Sequence, residues 1–258
     1  MMISSKTTLH LALLAAAGLL AAPAAHAQVT GYVSHPTTNS ADFKSAVAAS
    51  GGTVDSNVNF DAAAVGAVNP TFYTASDGVT ITSSGITTNI QSGAGPGQSN
   101  TASLPLSPGE GVHAPSHYLF IDGSGSLTLS FASPVAGVGF STIDLFNPNG
   151  VNPISITAFS GANGTGTNLG AFTAVGDNFQ QNNIYFMGAA DSTGANTIGS
   201  LVLTDPNVNV GDQIGIDDVL IARAGAPVPE ASTTVSLGLL LALGMGGIVV
   251  ASKRKKRA

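Results

Sequence analysis

Neither cysteine nor tryptophan occurs anywhere in the 258 residues, and charged residues make up only 9 % of them. The absence of cysteine removes disulfide stabilisation, thiolate catalysis, cysteine-ligated zinc and iron–sulfur clusters, so packing alone, or packing with a structural Ca²⁺, has to hold the fold. Without tryptophan, and with four tyrosines mostly inside apolar stretches, stacking platforms for sugar rings are scarce. Cations are scarcer still between residues 28 and 225, where thirteen carboxylates from Asp42 to Asp218 face only Lys44 and Arg223, a net charge of −11. A chain segment of that sign lacks the clustered Lys and Arg that displace counterions from a phosphate backbone, which excludes nucleic acid as a partner. Only two glutamates are present, Glu110 and Glu230, and nothing in their placement suggests the paired acids of a glycoside hydrolase.

Other catalytic patterns are missing too. There is no HExxH, no GxSxG and no glycine-rich loop followed by Lys-Ser/Thr. His113 and His117 stand four apart in HAPSH, but Pro115 lies between them in a Gly/Pro-rich stretch, so they read as loop histidines rather than as two ligands on one helix face.

The two ends carry the clearest signals. Lys6, then an apolar run from Leu11 to Ala22, then Ala25-His26-Ala27 make the three parts of a signal peptide, with cleavage by signal peptidase after Ala27. At the other end, Val235 to Ala251 is seventeen residues without a charge. As a helix rising 1.5 Å per residue it covers ~26 Å, just enough for the ~30 Å hydrocarbon core when Ser252 and the flanking threonines extend it. Lys253, Arg254, Lys255, Lys256 and Arg257 follow at once, and the positive-inside rule keeps them cytoplasmic and puts everything before Val235 outside. Val228, Pro229 and Glu230 precede the run, and the prolines at 227 and 229 favour an extended, accessible backbone there.

VPEAST, an apolar helix and KRKKR, in that order, resemble the PEP-CTERM sorting signal of Gram-negative bacteria. The usual core is Val-Pro-Glu-Pro, and Ala231 stands here in place of the second proline. The resemblance implies a substrate of an exosortase, a membrane-embedded cysteine transpeptidase that cuts near the motif. Val228, Pro229 and Glu230 are then recognition residues for another enzyme. It further implies a precursor held in the inner membrane facing the periplasm, and a product at the cell surface or in an exopolysaccharide matrix. The expected organisation is a signal peptide at 1–27, one domain at 28–225, and a sorting signal at 226–258 (motif 228–233, transmembrane helix 235–252, basic tail 253–257).

Between the ends, twenty-seven glycines and runs of Ser, Thr and Asn separate short apolar segments. SLTLSF at 126–131 alternates strictly, with Leu127, Leu129 and Phe131 on one side. YLFI at 118–121, VGF at 138–140, ISITAF at 154–159, LGAFT at 169–173, IYFM at 184–187, SLVLT at 200–204 and IGIDDVLIA at 214–222 follow at turn-bounded intervals, and further strands are expected between Val58 and Thr82. The pattern predicts an all-β, antiparallel sandwich. A helix is expected near its start, with Ser40 as N-cap, Asp42 at the positive end, Phe43 and Val47 on one face, and Gly51-Gly52 as the stop, covering one edge or end of the sandwich. Residues 91–115 read as a long loop. This order of segments resembles the jelly-roll-like bodies of PEP-CTERM proteins, which are similar in architecture to carbohydrate-binding modules.

The one constellation in the body is Asp217-Asp218, where strand alternation turns one carboxylate inward, with Asp122 as a further oxygen ligand for Ca²⁺. The resemblance, with no catalytic pattern beside it, implies a non-enzymatic surface or matrix protein. A carbohydrate- or calcium-binding module, a permanently anchored protein and a secreted hydrolase stay open beside it.

Overall fold

The computed structural model describes residues 28–34, 38–92, 117–143, 154–174, 184–205 and 213–225. The expected signal peptide (1–27), sorting motif (228–233), transmembrane helix (235–252) and basic tail (253–257) lie outside them. Among the described residues no helix is long and apolar enough to cross a membrane.

Among the described residues thirteen strands and one helix follow in the order β1 (Val29–Ser34), α1 (Thr38–Ala49), β2 (Thr53–Val58), β3 (Gly66–Ala67), β4 (Val79–Ser84), β5 (Thr87–Ser92), β6 (His117–Asp122), β7 (Gly125–Val135), β8 (Gly137–Ile143), β9 (Ile154–Phe159), β10 (Asn168–Ala174), β11 (Ile184–Asp191), β12 (Ile198–Asp205) and β13 (Gln213–Arg223). The first sheet has the order β1-β11-β8-β13-β6-β5-β3, with β2 also paired to β13, and the second has the order β10-β9-β12-β7-β4. Every strand pairing is antiparallel. The expected antiparallel sandwich is thus the architecture, and each of the eight apolar segments from 118 to 222 lies within a strand.

Alternation decides which side of each strand is buried. Leu127, Leu129 and Phe131 of β7 meet Ile154, Ile156 and Ala158 of β9, Leu201 and Leu203 of β12, and Val138, Phe140, Ile214 and Ile216 of the opposite sheet in one core between the layers. A second, smaller cluster lies on the far side of the first sheet. Phe43 and Val47 of α1 cover Phe186, Ala190, Leu220 and Ala222 there. Phe43 and Phe186 stand 5.5 Å apart, centre to centre. Gly139 provides the floor, since a Cβ at that position would come within 2.3 Å of the Phe186 ring.

The helix differs from expectation in two ways. It covers a face of the first sheet rather than an edge or end, because its apolar pair fits the shallow surface left by small residues of β8 and β11. It also begins at Thr38, so Ser40 is a buried residue of the first turn rather than the N-cap, and Asp42 falls in the second turn. Thr37, Thr38, Asn39 and Ser40 are all cap-type residues, so composition left the start undecided. The stop is as expected. Gly51 adopts φ +81°, its N–H donates to the Ala48 carbonyl, and Gly52 donates to Val47 at 2.9 Å, a Schellman termination.

Strands β1, β2 and β5 were not anticipated. TVDSNV and TTNIQS each offer too few apolar residues for a half-buried strand to be read from pattern. They form because neighbouring strands present open backbone groups. Consequently the connection between β5 and β6 starts after Ser92, and His117 belongs to β6 rather than to a loop. Two of the turns that carry the chain between sheets, β4 to β5 and β6 to β7, form adjoining corners. Gly125 (φ +159°) lies against Gly85 there so closely that a Cβ would come 2.2 Å from the Ser84 carbonyl oxygen.

Truncating Phe43 removes most of the contact between α1 and the sheet. Phe43→Ala is expected to cost about 3–5 kcal/mol in urea unfolding. Ser45→Ala, on the exposed side of the same helix, is expected to stay within about 0.5 kcal/mol. Equal losses for the two would show that the helix does not depend on that face.

Candidate functional site at the fork of the central strand

Strand β13 runs through the middle of the first sheet. Along one side it pairs with β8 from Gly215 to Ala222. Along the other it pairs first with β6, over Gln213 to Ile216, and then with β2, over Val219 to Arg223. Asp217 and Asp218 sit where the partner changes. The ladder to β8 is also broken there, because Asp217 faces Ser141 whereas Leu220 faces Gly139, three steps on one strand against two on the other. Asp218 is the extra residue of this bulge and takes φ +50°, a left-handed conformation that Asp tolerates better than most residues.

The bulge resets the alternation. Ile214 and Ile216 before it, and Val219 and Ile221 after it, all enter the core between the sheets. An unbroken strand would turn one of these pairs outward. Both carboxylates are buried, Asp217 to 3 % exposure and Asp218 to 8 %, rather than one inward and one outward as simple alternation implies. Asp217 Oδ1 accepts the Asp218 N–H at 2.8 Å, and Asp218 Oδ1 accepts Asn57 Nδ2 at 3.0 Å. The Phe60 N–H, from the segment leaving β2, also donates to Asp217.

Burial pushes the Asp217 carboxyl up to about 8, with the charges of Asp218 and Asp61 adding to the shift and the Asp218 and Phe60 N–H groups opposing it. Tyr73 flanks the same place. Its hydroxyl donates to the Asn59 carbonyl at 2.8 Å, and its pKa is raised by burial and by the charges of Asp217, Asp77 and Asp61. Asp61 in turn accepts the His117 N–H at 3.0 Å, while His117 Nδ1 is buried without a hydrogen-bond partner. A shallow apolar cavity of about 150 Å³ lies beside this region, lined by Phe60, Ala63, Ala67, Phe72, Tyr73 and Ile90. Asp217 and Asp218 do not line it.

Asp122 is placed apart from the other two acids. It pairs with Gln213, four residues before Asp217 on β13, which at ~3.3 Å per residue is roughly 13 Å away. Among the described residues no group of three or more His, Asp or Glu side chains is arranged to hold a metal ion. Asp217 and Asp218 are together, but a shared cation would need ligands beyond these two. Ala25, Ala27, Val228, Pro229, Glu230 and Lys253 to Arg257 lie outside the described residues, as does His113. The sequence itself carries the signal of the bulge: the spacing of the core residues 214, 216, 219 and 221 slips by one residue at the two aspartates.

No family model matches the chain, and no curated protein matches it. Solved β-domains do. The K1 cleaved adhesin domain of Lys-gingipain from Porphyromonas gingivalis W83 is similar over 66 % of this chain and 98 % of its own, at 10 % identity and a TM-score of 0.39. A carbohydrate-binding module with specific mannan recognition is similar over 67 % of this chain and 98 % of its own, at 9 % identity and a TM-score of 0.35. The family 11 carbohydrate-binding module from Clostridium thermocellum matches 62 % of this chain and 96 % of its own, at 9 % identity and a TM-score of 0.31. At these values the likeness carries no argument about a ligand, and the class of the protein, a two-sheet antiparallel β-sandwich, rests on its own strand pairings.

Because the folded state holds the Asp217 proton up to about pH 8 while an unfolded Asp releases it near 4, the native chain binds more protons across that window. Stability is therefore expected to fall as pH rises from about 4 to 8, by up to ~1.4 kcal/mol per unit, and to level off above. Asp217→Asn, which keeps the shape of the neutral carboxyl, should flatten that slope in denaturant titrations. A wild-type profile already flat between pH 5 and 8 would contradict the assignment.

Proposed function

We propose that this is an exported, non-enzymatic surface or matrix protein whose C-terminal tail directs its sorting and whose jelly-roll-like sandwich is the part delivered. The observation that carries this reading is the ordered tail: Val228-Pro229-Glu230, then the uncharged run from Val235, then five consecutive basic residues, in a chain whose residues 1–27 also have the three-part pattern of a signal peptide. In the precursor the apolar helix spans the inner membrane, the basic cluster stays in the cytoplasm, and the sandwich faces the periplasm. Val228, Pro229 and Glu230 are then presented to an exosortase-type transpeptidase at the membrane surface.

The position of the motif fits that role. The last strand ends at Arg223, and the Ala224 N–H is tied to Asn196 Oδ1 at 2.7 Å, so a cut after Val228 leaves every strand of the sandwich intact. The peptide left behind contains most of the chain's cations, and its loss turns a weakly acidic precursor into a strongly acidic product. Such a product resists association with other polyanions and stays soluble outside the cell.

Mass spectrometry of the C-terminal peptide in surface and membrane fractions of the native host tests the proposal. Surface material is expected to end between Val228 and Ser232, and Pro229→Ala with Glu230→Ala should move the protein back to the membrane fraction with its tail uncut. Wild-type protein found only in the membrane with Lys253 to Arg257 intact would mean a permanent anchor.

A further inference from the structure

The outward side of the second sheet is a regular array of hydroxyls without a charge. Across its five strands the register aligns Ser84, Ser126, Thr204, Ser155 and Thr173 in one row. The next row, two residues further along each strand, is Thr82, Thr128, Val202, Thr157 and Ala171. Neighbours within a row are ~4.8 Å apart and the rows ~7 Å apart, so each row is roughly 19 Å long. In the third row Ser130 and Ser200 are buried beneath the β9–β10 loop. Ser200 Oγ donates to the Gly161 carbonyl at 2.6 Å and accepts the Gly164 N–H at 2.9 Å, and Ser130 Oγ donates to Asn163 Oδ1 at 2.9 Å. The loop thereby forms a polar wall along one end of the two open rows.

Every described charge lies elsewhere. Lys44 and Arg223 are on α1 and β13, and the described acids are on the first sheet, on α1 or in connections, except Asp205. Asp205 ends β12 but shares the inward side with Leu201 and Leu203 and is 2 % exposed. In a domain with a net charge of −11, an uncharged face five strands wide is a marked separation.

We infer that this face is a contact surface for an uncharged polysaccharide chain; the inference rests on the matrix reading above and gives the partner its chemistry. Each hydroxyl is both donor and acceptor and can rotate, so an array of them matches an array of sugar hydroxyls and ring oxygens without burying a charge. A polyanion or polycation would find no counter-charge here. A protein partner would need several aromatic or large apolar anchors, and the described strands offer on this side only Val202 and Ala171 in the open rows and the half-buried Phe159 in the third. Sheet twist of ~20–25° per strand turns the rows through roughly 80–100°, which suits a flexible chain and not the flat surface of a crystal.

The test uses the mature protein from the host, or the full chain in detergent, in retention on amorphous cellulose and cross-linked dextran, each compared with its carboxymethylated form. Wild-type protein is expected to be retained on at least one neutral matrix and not on its anionic derivative. Thr128→Lys with Thr157→Lys should lower retention tenfold or more, and Thr128→Ala with Thr157→Ala several-fold. Ser45→Lys on α1 should leave it unchanged, with thermal midpoints compared across all variants. Absence of retention on both neutral matrices, equal retention on the charged forms, or indifference to the alanine pair would overturn the inference. So would self-association of the wild type that the lysine pair abolishes without any glycan retention, which would make the face an interface between two copies. Retention does not depend on which C-terminus the protein carries, so this result and the fate of the tail are read separately.

Discussion

The sandwich depends on one strand meeting three others. β13 contributes Ile214, Ile216, Val219 and Ile221 to the core between the sheets and Leu220 and Ala222 to the cluster beneath α1, so it connects both apolar regions. It can do so only because the bulge at Asp217-Asp218 inserts one residue where the partner strand changes from β6 to β2. Were the ladder continuous, one half of the strand would show its isoleucines to solvent. The bulge leaves polar backbone without ladder partners on that side. The two aspartates and the Phe60 N–H occupy the gap, which is why carboxylates stand in the centre of an otherwise apolar strand.

Stability without disulfides follows from the same arrangement. A body of close to 200 residues has enough interior for packing to suffice, whereas a much smaller domain would need covalent staples or a metal. The apolar side of each sheet is dense with Ile, Leu, Val and Phe. The first sheet buries its other side as well, under a helix whose own sequence has little amphipathic character. That helix persists through Phe43 and Val47 rather than through propensity, in line with the general dominance of tertiary packing over intrinsic helicity.

Strands with strict alternation or continuous apolar runs were legible from the sequence: β7, β9 and β12 by their period, and β6, β11 and β13 by their density of apolar residues. β2 and β5 were not, because Thr53–Val58 and Thr87–Ser92 are polar at most positions and owe their conformation to the backbone groups of β13 and β6. The helix stop at Gly51 was readable because a left-handed position has few candidate residues, while its start was obscured by four consecutive cap-type residues. At the site, the residues were identified and their geometry was not. Asp217 and Asp218 are adjacent in the chain and easily singled out. Their common burial comes from a bulge and a change of strand partner, which are long-range features. Asp122 was joined to them by residue type alone, and register separates it. The tail remains a reading of sequence, since its residues lie outside the described structure.

Charge is divided as unevenly in space as along the chain. Counted formally, residues 28–225 carry −11, yet Asp217 retains its proton up to about pH 8, so near neutrality the effective charge is smaller by about one. Among the described residues the acids other than Asp205 lie on the first sheet, on α1 or in connections. There Asp55 lies 3.9 Å from Arg223 Nε, and Asp77 holds the Ser56 and Ser76 hydroxyls. This side keeps the molecule soluble by repulsion. The second sheet's outward side has no such charge, yet its Thr and Ser rows avoid the exposed apolar patch that an uncharged sheet face would otherwise form. On the proposed reading, in which the protein is delivered into a hydrated polymer matrix, the two sides would solve different problems: one would set the distance between like molecules, and the other would permit close contact with a neighbour that brings hydroxyls rather than charge.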